Sequence, residues 1–180
     1  IIGTVGRFDQ SKGIDTLIIS FKTILENFPN LKLEIIGKGC QELYYKELVT
    51  KLNLEKNVRF LGYLNPNDVL QHMTRWEIFI LPARWEGLGM VLIEAGFLML
   101  PIIATNVGGI PEIITNNVNG FLIKPDDPYE INTKVIELMR SKSKRIYMGQ
   151  QSRIKVKEYF LIEDMVIKTE KLYEKIFDNK

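Results

Sequence analysis

The 180-residue chain has one cysteine, Cys40, and one histidine, His72. A lone cysteine excludes an intrachain disulfide and fits a reducing compartment. One histidine and one cysteine cannot supply a metal site of recognisable ligand spacing, so we expect no metal. His72 falls on a predicted surface helix, where we expect an inert side chain rather than a catalytic one.

The chain also lacks a long apolar run, a strong charge imbalance and a signal peptide. Its longest apolar run, residues 90–104, is interrupted by Glu94 and Pro101 and is too short to span a bilayer. The net charge of +2 gives no reason to expect a nucleic-acid partner. The amino terminus has neither an initiator methionine nor a basic start, and it reads as a strand. We therefore predict a cytoplasmic protein and a chain that has been cut from a longer one.

A basic run near the carboxyl end has two interpretations. It consists of Lys142, Lys144, Arg145, Arg153, Lys155 and Lys157. These residues could contact an anionic membrane surface, which would make the protein peripheral to a membrane. A solvated helix face explains the same residues and is the favoured interpretation.

Six short apolar runs alternate along the chain with amphipathic segments. We predict strands at residues 1–8, 31–36, 58–61, 76–81, 102–105 and 120–123. We predict helices at residues 16–28, 42–52, 65–73 or 67–73, 90–100, 111–115, 129–139, 144–159 and 162–177, with Asp15 as the cap of the first. The alternation predicts an α/β fold in a single domain, residues 1–180. This is a doubly wound, Rossmann-like, six-stranded and mostly parallel sheet with helices on both faces.

Residues suited to ligand binding follow four of the predicted strands. They are Arg7, Lys12, Lys38, Tyr63 and Glu86. The carboxyl ends of parallel strands share one edge of a sheet, where doubly wound proteins bind ligands at a topological switch point. The sequence therefore predicts a ligand site at this edge.

The segment 86–94, EGLGMVLIE, passes from a glycine-rich turn into a helix. The first N–H groups of a helix have no intrahelical partner, and the positive end of the helix dipole favours phosphate. Glu86 and Glu94 can accept hydrogen bonds from hydroxyl groups, although paired acids also suit acid–base chemistry, as in glycoside hydrolases. A phosphate flanked by sugars is the favoured interpretation, because Glu94 leans toward the helix start and lies among apolar residues.

Arg7 and Lys12 flank the turn after the first strand and have two interpretations. A guanidinium fork and a lysine charge would clamp a phosphate, and two solvated surface charges fit equally well. Gly37 and Gly39 do not begin a dinucleotide fingerprint, because Glu42 stands where the third glycine is required. The sequence also has no phosphate-binding loop of the ATPase type and no nucleophile elbow.

Residues 86–94 resemble the Glu-x7-Glu motif of the retaining GT-B glycosyltransferases, glycosyl transferases group 1, which act in lipopolysaccharide, capsule and glycolipid synthesis. Further segments are similar to family signatures in the same order: Gly6-Arg7, Lys12-Gly13, 33–39, 58–62, 101–112 and 119–122. The resemblance covers essentially the whole chain. One departure precedes Glu86, where the family's Pro-Ser is replaced by Pro-Ala. The following Arg84 and Trp85 either shape sugar or acceptor selectivity or pack on the surface.

The resemblance implies the C-terminal, donor-binding half of a two-domain enzyme whose N-terminal acceptor domain is absent from this chain. The implied partner is a nucleotide sugar, with UDP the family's commonest nucleotide and GDP and ADP behind it. The implied donor-binding residues are Gly6, Arg7, Lys12, Gly37, Gly39, Tyr63, Leu64, Glu86, Gly87, Leu88, Gly89, Met90, Val91 and Glu94.

The resemblance also implies a role for most of these residues. Arg7 and Lys12 would stabilise the leaving diphosphate, which the N–H groups at the helix start would also meet. Glu86 would position the transferred sugar, and Glu94 would hold the ribose hydroxyls. The turn at residues 63–64 would frame the base, with Gly37 and Gly39 nearby.

The implied reaction is retaining transfer of a hexosyl unit to a glycan, lipid or lipopolysaccharide acceptor. It would need no metal and no cofactor, because cationic side chains and a helix dipole would stabilise the charge on the leaving phosphate. The fragment is expected to be inactive alone, and its last helix to expose part of an apolar face. Alternatives are a non-catalytic nucleotide-sugar-binding module that needs a partner domain, and a GT-B UDP-N-acetylhexosamine epimerase. The missing fingerprint disfavours an NAD-dependent dehydrogenase.

Overall fold

A computed structural model describes residues 1–177, the side chain of Asp164 excepted. The strands are β1 (Ile2–Val5), β2 (Leu33–Ile36), β3 (Val58–Gly62), β4 (Ile78–Leu81), β5 (Ile102–Thr105) and β6 (Gly120–Ile123). The helices are α1 (Ile14–Asn27), α2 (Glu42–Lys51), α3 (Pro66–Met73), α4 (Met90–Phe97), α5 (Ile110–Ile113), α6 (Pro128–Arg140), α7 (Lys142–Tyr159) and α8 (Ile162–Phe177). A 3-10 turn, Gln10–Lys12, precedes α1.

The six strands form one sheet in the order β3-β2-β1-β4-β5-β6, and all of the pairings between them are parallel. The chain winds outward from β1 to β3 and then returns to place β4 beside β1. This reversal is a topological switch point, where the loops that follow β1 and β4 diverge and leave a crevice. The sheet order therefore brings the residues after these two strands together.

Apolar side chains cover both faces of the sheet. On one face, Leu17 and Phe21 of α1 and Val135 of α6 are fully buried. On the other face, Leu92 of α4 and Val156 of α7 are buried. Strands covered on both faces are mostly apolar, and this makes them recognisable in the sequence. The predicted doubly wound α/β sheet is confirmed, and it is wholly rather than mostly parallel.

Two helix boundaries correct the sequence predictions. Helix α1 begins at Ile14 with Gly13 as its N-cap, at a φ of 60°. Asp15 is therefore not the cap and lies in the first helical turn. Helix α4 ends at Phe97 rather than at residue 100, because Met99 adopts a φ of 57°, which is incompatible with a right-handed helix. The other boundaries lie within a few residues of those predicted.

Helix α8 has an exposed apolar face, as expected. Its exposed large apolar residues are Ile162, Met165, Val166, Ile167, Leu172, Tyr173, Ile176 and Phe177. Among residues 1–177, no helix combines the length and the apolar character needed to cross a bilayer.

Candidate functional site

The loops after β1 and β4 are fastened to each other at the switch point. The backbone N–H groups of Arg84 and Trp85 both donate to the Ser11 carbonyl, at 2.7 and 3.2 Å. Gly13 has a φ of 60°, and a Cβ added there would lie 2.0 Å from the Pro82 carbonyl oxygen. Only glycine permits this approach, so the sequence allows the turn that carries Lys12 to lie against the β4 loop.

The structure joins two residues that the sequence analysis placed in the site on separate grounds. Lys12 Nζ lies 2.8 Å from Glu86 Oε2, although the residues are 74 positions apart in the chain. Their side chains are only 13% and 15% exposed. The second carboxylate oxygen, Oε1, accepts a hydrogen bond from the Gly87 N–H at 3.1 Å. This shielded ion pair lies at the centre of the candidate site.

Arg7 lies on the same loop as Lys12 but has a different carboxylate partner. Its Nε is 3.3 Å from Asp9 Oδ2, and its side chain is 77% exposed. Burial acts to raise the pKa of Asp9, but hydrogen bonds from Ser11 and the charges of Arg7 and Lys12 outweigh it and lower the pKa. Within the described residues, the exposed guanidinium has this one long ionic contact, which leaves most of its N–H groups available to a ligand.

The turn after β5 supports the loop that carries Glu86. The Gly109 N–H donates to the Gly87 carbonyl at 2.6 Å. Gly108 has a φ of 52°, and a Cβ added there would lie 1.7 Å from the Glu86 carbonyl oxygen. In the sequence this turn was recognisable only as part of a family signature, and its structural role was not predicted. The sequence feature that could have predicted this role is the pair Gly108-Gly109 in the short turn after β5.

The start of α4 is open to a ligand. Gly89, at a φ of 82°, is its N-cap and provides no side-chain hydrogen bond to the first turn. Met90 is exposed, and Leu88 and Val91 are half-buried against the core. Helix N–H groups in this position, at the positive end of the helix dipole, bind anions well.

Glu94 lies one turn into α4, and its surroundings differ from those of Glu86. In the described part of the chain, its carboxylate has no hydrogen bond or ion pair. Burial raises the pKa of Glu94, although part of the side chain remains exposed to solvent. A carboxylate that is partly shielded but still reachable from solvent is suited to accept hydrogen bonds from ligand hydroxyls.

The predicted residues after β2 and β3 have a different setting. A Cβ on Gly37, which has a φ of 142°, would lie 1.8 Å from the Gly6 carbonyl oxygen. A Cβ on Gly39 would lie 2.5 Å from the Phe8 carbonyl oxygen. The two glycines therefore let the β2 loop lie against the β1 loop, and this structural role is independent of any role in ligand binding. Beyond them, Tyr63 is exposed and Leu64 is half-buried, at the outer end of the sheet edge.

Arg84 has a role that the sequence did not specify. Its guanidinium contacts Asp15 Oδ2 at 2.8 Å, Asp126 Oδ1 at 2.7 Å and the Gln10 carbonyl at 2.7 Å. The hydrogen bond with Asp15 is the main reason that the pKa of Arg84 is raised, and the charges of both aspartates add to it against the effect of burial. Arg84 therefore joins the loops after β1, β4 and β6. Trp85, by contrast, is exposed.

His72 is not the idle surface residue that the sequence predicted. Its Nδ1 lies 3.0 Å from Oε2 of Glu34, a buried residue of β2, and 2.8 Å from an Arg75 guanidinium nitrogen. Trp76 Nε1 donates to the same Glu34 oxygen at 2.8 Å. Burial acts to raise the pKa of Glu34, but the hydrogen bonds from Trp76 and His72 outweigh it and lower the pKa. This network satisfies a buried carboxylate and has a structural role.

Two further sequence predictions concern metals and membranes. Across residues 1–177, no three His, Cys, Asp or Glu side chains gather closely enough to hold a metal ion. Part of the basic run is engaged within the protein. The contacts are Lys144 with Glu137, Arg145 with Glu77 at 3.0 Å, and Lys155 with Thr115 at 2.7 Å.

Comparison with known proteins identifies a family and a fold. A family model described as glycosyl transferases group 1 matches residues 1–155. An uncharacterized glycosyltransferase of Methanocaldococcus jannaschii is 34% identical over 174 residues, which are 97% of this chain and 48% of that protein. The capsular polysaccharide biosynthesis glycosyltransferase CapM of Staphylococcus aureus is 32% identical over 173 residues, 96% of this chain and 45% of CapM. The chain thus spans about half the length of the curated relatives it matches.

A solved structure shows the same architecture. Alr3699/HepE of Anabaena, crystallised in complex with UDP, matches with a TM-score of 0.89 at 23% identity. The match covers 97% of this chain and 48% of HepE. At that identity the likeness establishes the fold alone, and it confirms the predicted Rossmann-like fold of GT-B C-terminal domains.

Proposed function

The chain belongs to the glycosyl transferases group 1 family, and on this basis we propose that it is the donor-binding half of a retaining hexosyltransferase. The observation that carries the proposal is the Lys12–Glu86 pair at the switch point, beside the open start of α4. A cation, a helix start and acids on either side suit one extended ligand, a nucleoside diphosphate joined to a sugar. Curated relatives that are named as glycosyltransferases support transfer over epimerisation.

The phosphates of the donor bind at the start of α4. The N–H groups of Met90 and Val91 and the charges of Lys12 and Arg7 meet the diphosphate. When the bond between the sugar and the phosphate breaks, negative charge grows on the leaving group. Groups already aimed at this position stabilise that charge more than they stabilise the ground state, which lowers the barrier without a metal.

The two glutamates bind opposite ends of the donor. Glu86, with the backbone of residues 87–89, accepts hydrogen bonds from the hydroxyls of the transferred sugar. Glu94 accepts hydrogen bonds from the ribose, and the turn at Tyr63 and Leu64 frames the base. We propose UDP as the nucleotide, which the UDP complex of HepE supports. The acceptor hydroxyl attacks from the face that the phosphate leaves, so that the configuration at the sugar carbon is retained.

This chain covers about half the length of its relatives, and we propose that the acceptor binds to the other half. The partner half carries the acceptor, which we propose to be a glycan, a lipid or a lipopolysaccharide. The proposed location is the cytoplasm, with contact at the inner face of the cell membrane when the acceptor is lipid-linked.

Calorimetric titration of the 180-residue chain with UDP, GDP, ADP and their sugar conjugates tests the proposal. We expect saturable binding of one nucleotide and of its sugar conjugates in a buffer that contains a metal chelator. Arg7→Ala and Glu94→Ala should each weaken this binding. Lack of binding to every nucleotide in the panel would contradict the proposal.

A further inference from the structure

The Lys12–Glu86 pair has a consequence for the kind of ligand that the site accepts. In the described part of the chain, the Lys12 ammonium has Glu86 as its ionic partner, and Glu86 Oε2 has Lys12 as its hydrogen-bond donor. Both side chains are largely shielded from water. A ligand that binds only one of the two residues leaves the charge of the other without a counter-ion and shielded from water. This lowers the free energy gained on binding.

The pair cannot separate easily by movement of its loops. The Glu86 loop is held by the Gly109 N–H and by the approach of Gly108 to its backbone. The Lys12 turn is held by the two N–H groups that bind the Ser11 carbonyl. The contact is therefore broken by movement of the side chains rather than of the loops, and breaking it costs least when a ligand replaces it on both sides.

We infer that the Lys12–Glu86 pair makes the site select an intact nucleotide sugar over the free nucleoside diphosphate. This inference rests on the proposed function. An intact donor offers a phosphate to Lys12 and sugar hydroxyls to Glu86, so both charges regain partners. A free diphosphate draws Lys12 away and leaves the Glu86 carboxylate without its cation, beside a second anion. The pair thus weakens the binding of the leaving nucleotide, which assists its release after transfer.

Glu86→Gln tests the inference, because glutamine keeps the shape of the side chain and removes its charge. Released from its partner, Lys12 should bind UDP and inorganic pyrophosphate about tenfold more tightly, the scale of one charge-assisted hydrogen bond. Binding of the UDP-sugar should improve less or weaken, because Glu86 no longer accepts its hydroxyls with a full charge. The ratio of the two dissociation constants, UDP over UDP-sugar, should therefore fall in the variant.

Two controls separate this effect from a general change of charge. Glu112→Gln makes the same chemical change at an exposed residue of α5 and should leave the ratio unchanged. In a Lys12→Ala background, Glu86→Gln should no longer tighten the binding of pyrophosphate. Glu86→Ala serves as a second variant if the glutamine protein folds poorly, and its UDP affinity should shift in the same direction.

The outcomes distinguish the inference from the proposed function. If the parent chain binds UDP and UDP-sugar but Glu86→Gln does not tighten UDP or pyrophosphate, the inference is wrong and the proposed function stands. The same conclusion follows if Glu112→Gln gives an equal shift. If the parent binds no nucleotide of the UDP, GDP and ADP panel, the proposed function fails and the inference fails with it.

Discussion

The loop that carries Glu86 and the helix that carries Glu94 are continuous in sequence but are built in opposite ways. The groups of the loop already have partners within the protein. Lys12 pairs with the Glu86 carboxylate, and the β5–α5 turn packs against the loop backbone. The helix start is open, with an exposed Met90 and an N-cap that supplies no side-chain bond, and its Glu94 carboxylate has no partner among the described residues. A ligand must exchange contacts at the loop, whereas it adds contacts at the helix. Affinity should therefore come mainly from the helix and selectivity from the loop.

The largest effect should follow from disturbing the support of the loop. Gly108→Ala places a Cβ at 1.7 Å from the Glu86 carbonyl oxygen at a φ of 52°. We expect the free energy of unfolding to fall by about 2–4 kcal/mol, because the turn must move and a left-handed residue is strained. Urea denaturation measures this change, and titration with a UDP-sugar should show weaker binding.

Gly87→Ala is the matched control, because a Cβ there meets nothing within 4 Å. Its effect on the free energy of unfolding should stay below about 1 kcal/mol. Equal destabilisation by the two substitutions would show that the loop does not depend on the close approach at Gly108.

The next largest effect should follow from removing the Arg84 contacts that join the loops after β1, β4 and β6. Arg84→Gln removes both ion pairs and leaves Asp15 without its cation. We expect a loss of about 1–3 kcal/mol in the free energy of unfolding, together with weaker nucleotide binding, because the Ser11 turn that carries Lys12 loosens. Arg84→Lys should recover part of both losses. Thermal melts and calorimetric titration provide the two measurements.

Arg145 provides the control on a different part of the fold. It binds the carbonyls of Leu138 and Met139 and the carboxylate of Glu77. Arg145→Gln should destabilise the fold by a similar amount and leave nucleotide affinity unchanged. If nucleotide affinity were unchanged in both Arg84→Gln and Arg145→Gln, Arg84 would not be needed to position the nucleotide site.

A smaller effect distinguishes the two glutamates. Glu94→Ala should weaken UDP binding about tenfold, because it removes a carboxylate that accepts ribose hydroxyls. Glu86→Ala should spare UDP binding or tighten it. The opposite pattern, with UDP binding lost in Glu86→Ala and intact in Glu94→Ala, would reverse the assignment of the two donor ends.

The smallest effect is a pH dependence of stability. Burial raises the pKa of Glu94, so folding disfavours its charged form. The carboxylate therefore lowers stability at neutral pH, and this loss disappears as the pH falls through the raised pKa toward the unfolded value. Glu94→Gln should be more stable than the parent at neutral pH by less than about 1 kcal/mol, with the gap closing in acid. Urea midpoints at several pH values test this, and a less stable variant at neutral pH would contradict it.

The fold could be predicted because the strands and helices of each layer have a local sequence pattern. Parallel strands buried on both faces are short apolar runs, and glycine-rich turns separate them from amphipathic helices. The position of the site followed from sheet topology, since residues such as Lys12 and Glu86 come directly after neighbouring strands. These properties depend on nearby residues and on general rules of connection.

The contacts within the site could not be predicted in this way. The ion pair of Lys12 with Glu86 and the ties of Arg84 to Asp15 and Asp126 join residues that are far apart in the chain. Their geometry depends on how the loops pack against each other, and loop packing produces no periodic pattern in the sequence. The misassigned cap at Asp15 has the same origin, because a distant arginine engages that carboxylate and the glycine before the helix serves as the cap instead.

The contact between α4 and α7 has a mechanical consequence. A Cβ on Gly96 would lie 2.6 Å from Val156 Cγ2, and a Cβ on Gly149 would lie 1.9 Å from the Met99 carbonyl oxygen. Helix α7 thus touches α4 at Gly96 and the backbone just after α4 at Met99, with no space for a side chain at either point. Helix α4 cannot slide past α7 without a steric clash. Any hinge motion in a longer protein would therefore carry α4 and Glu94 as part of a rigid body, and a bound nucleotide would travel with them.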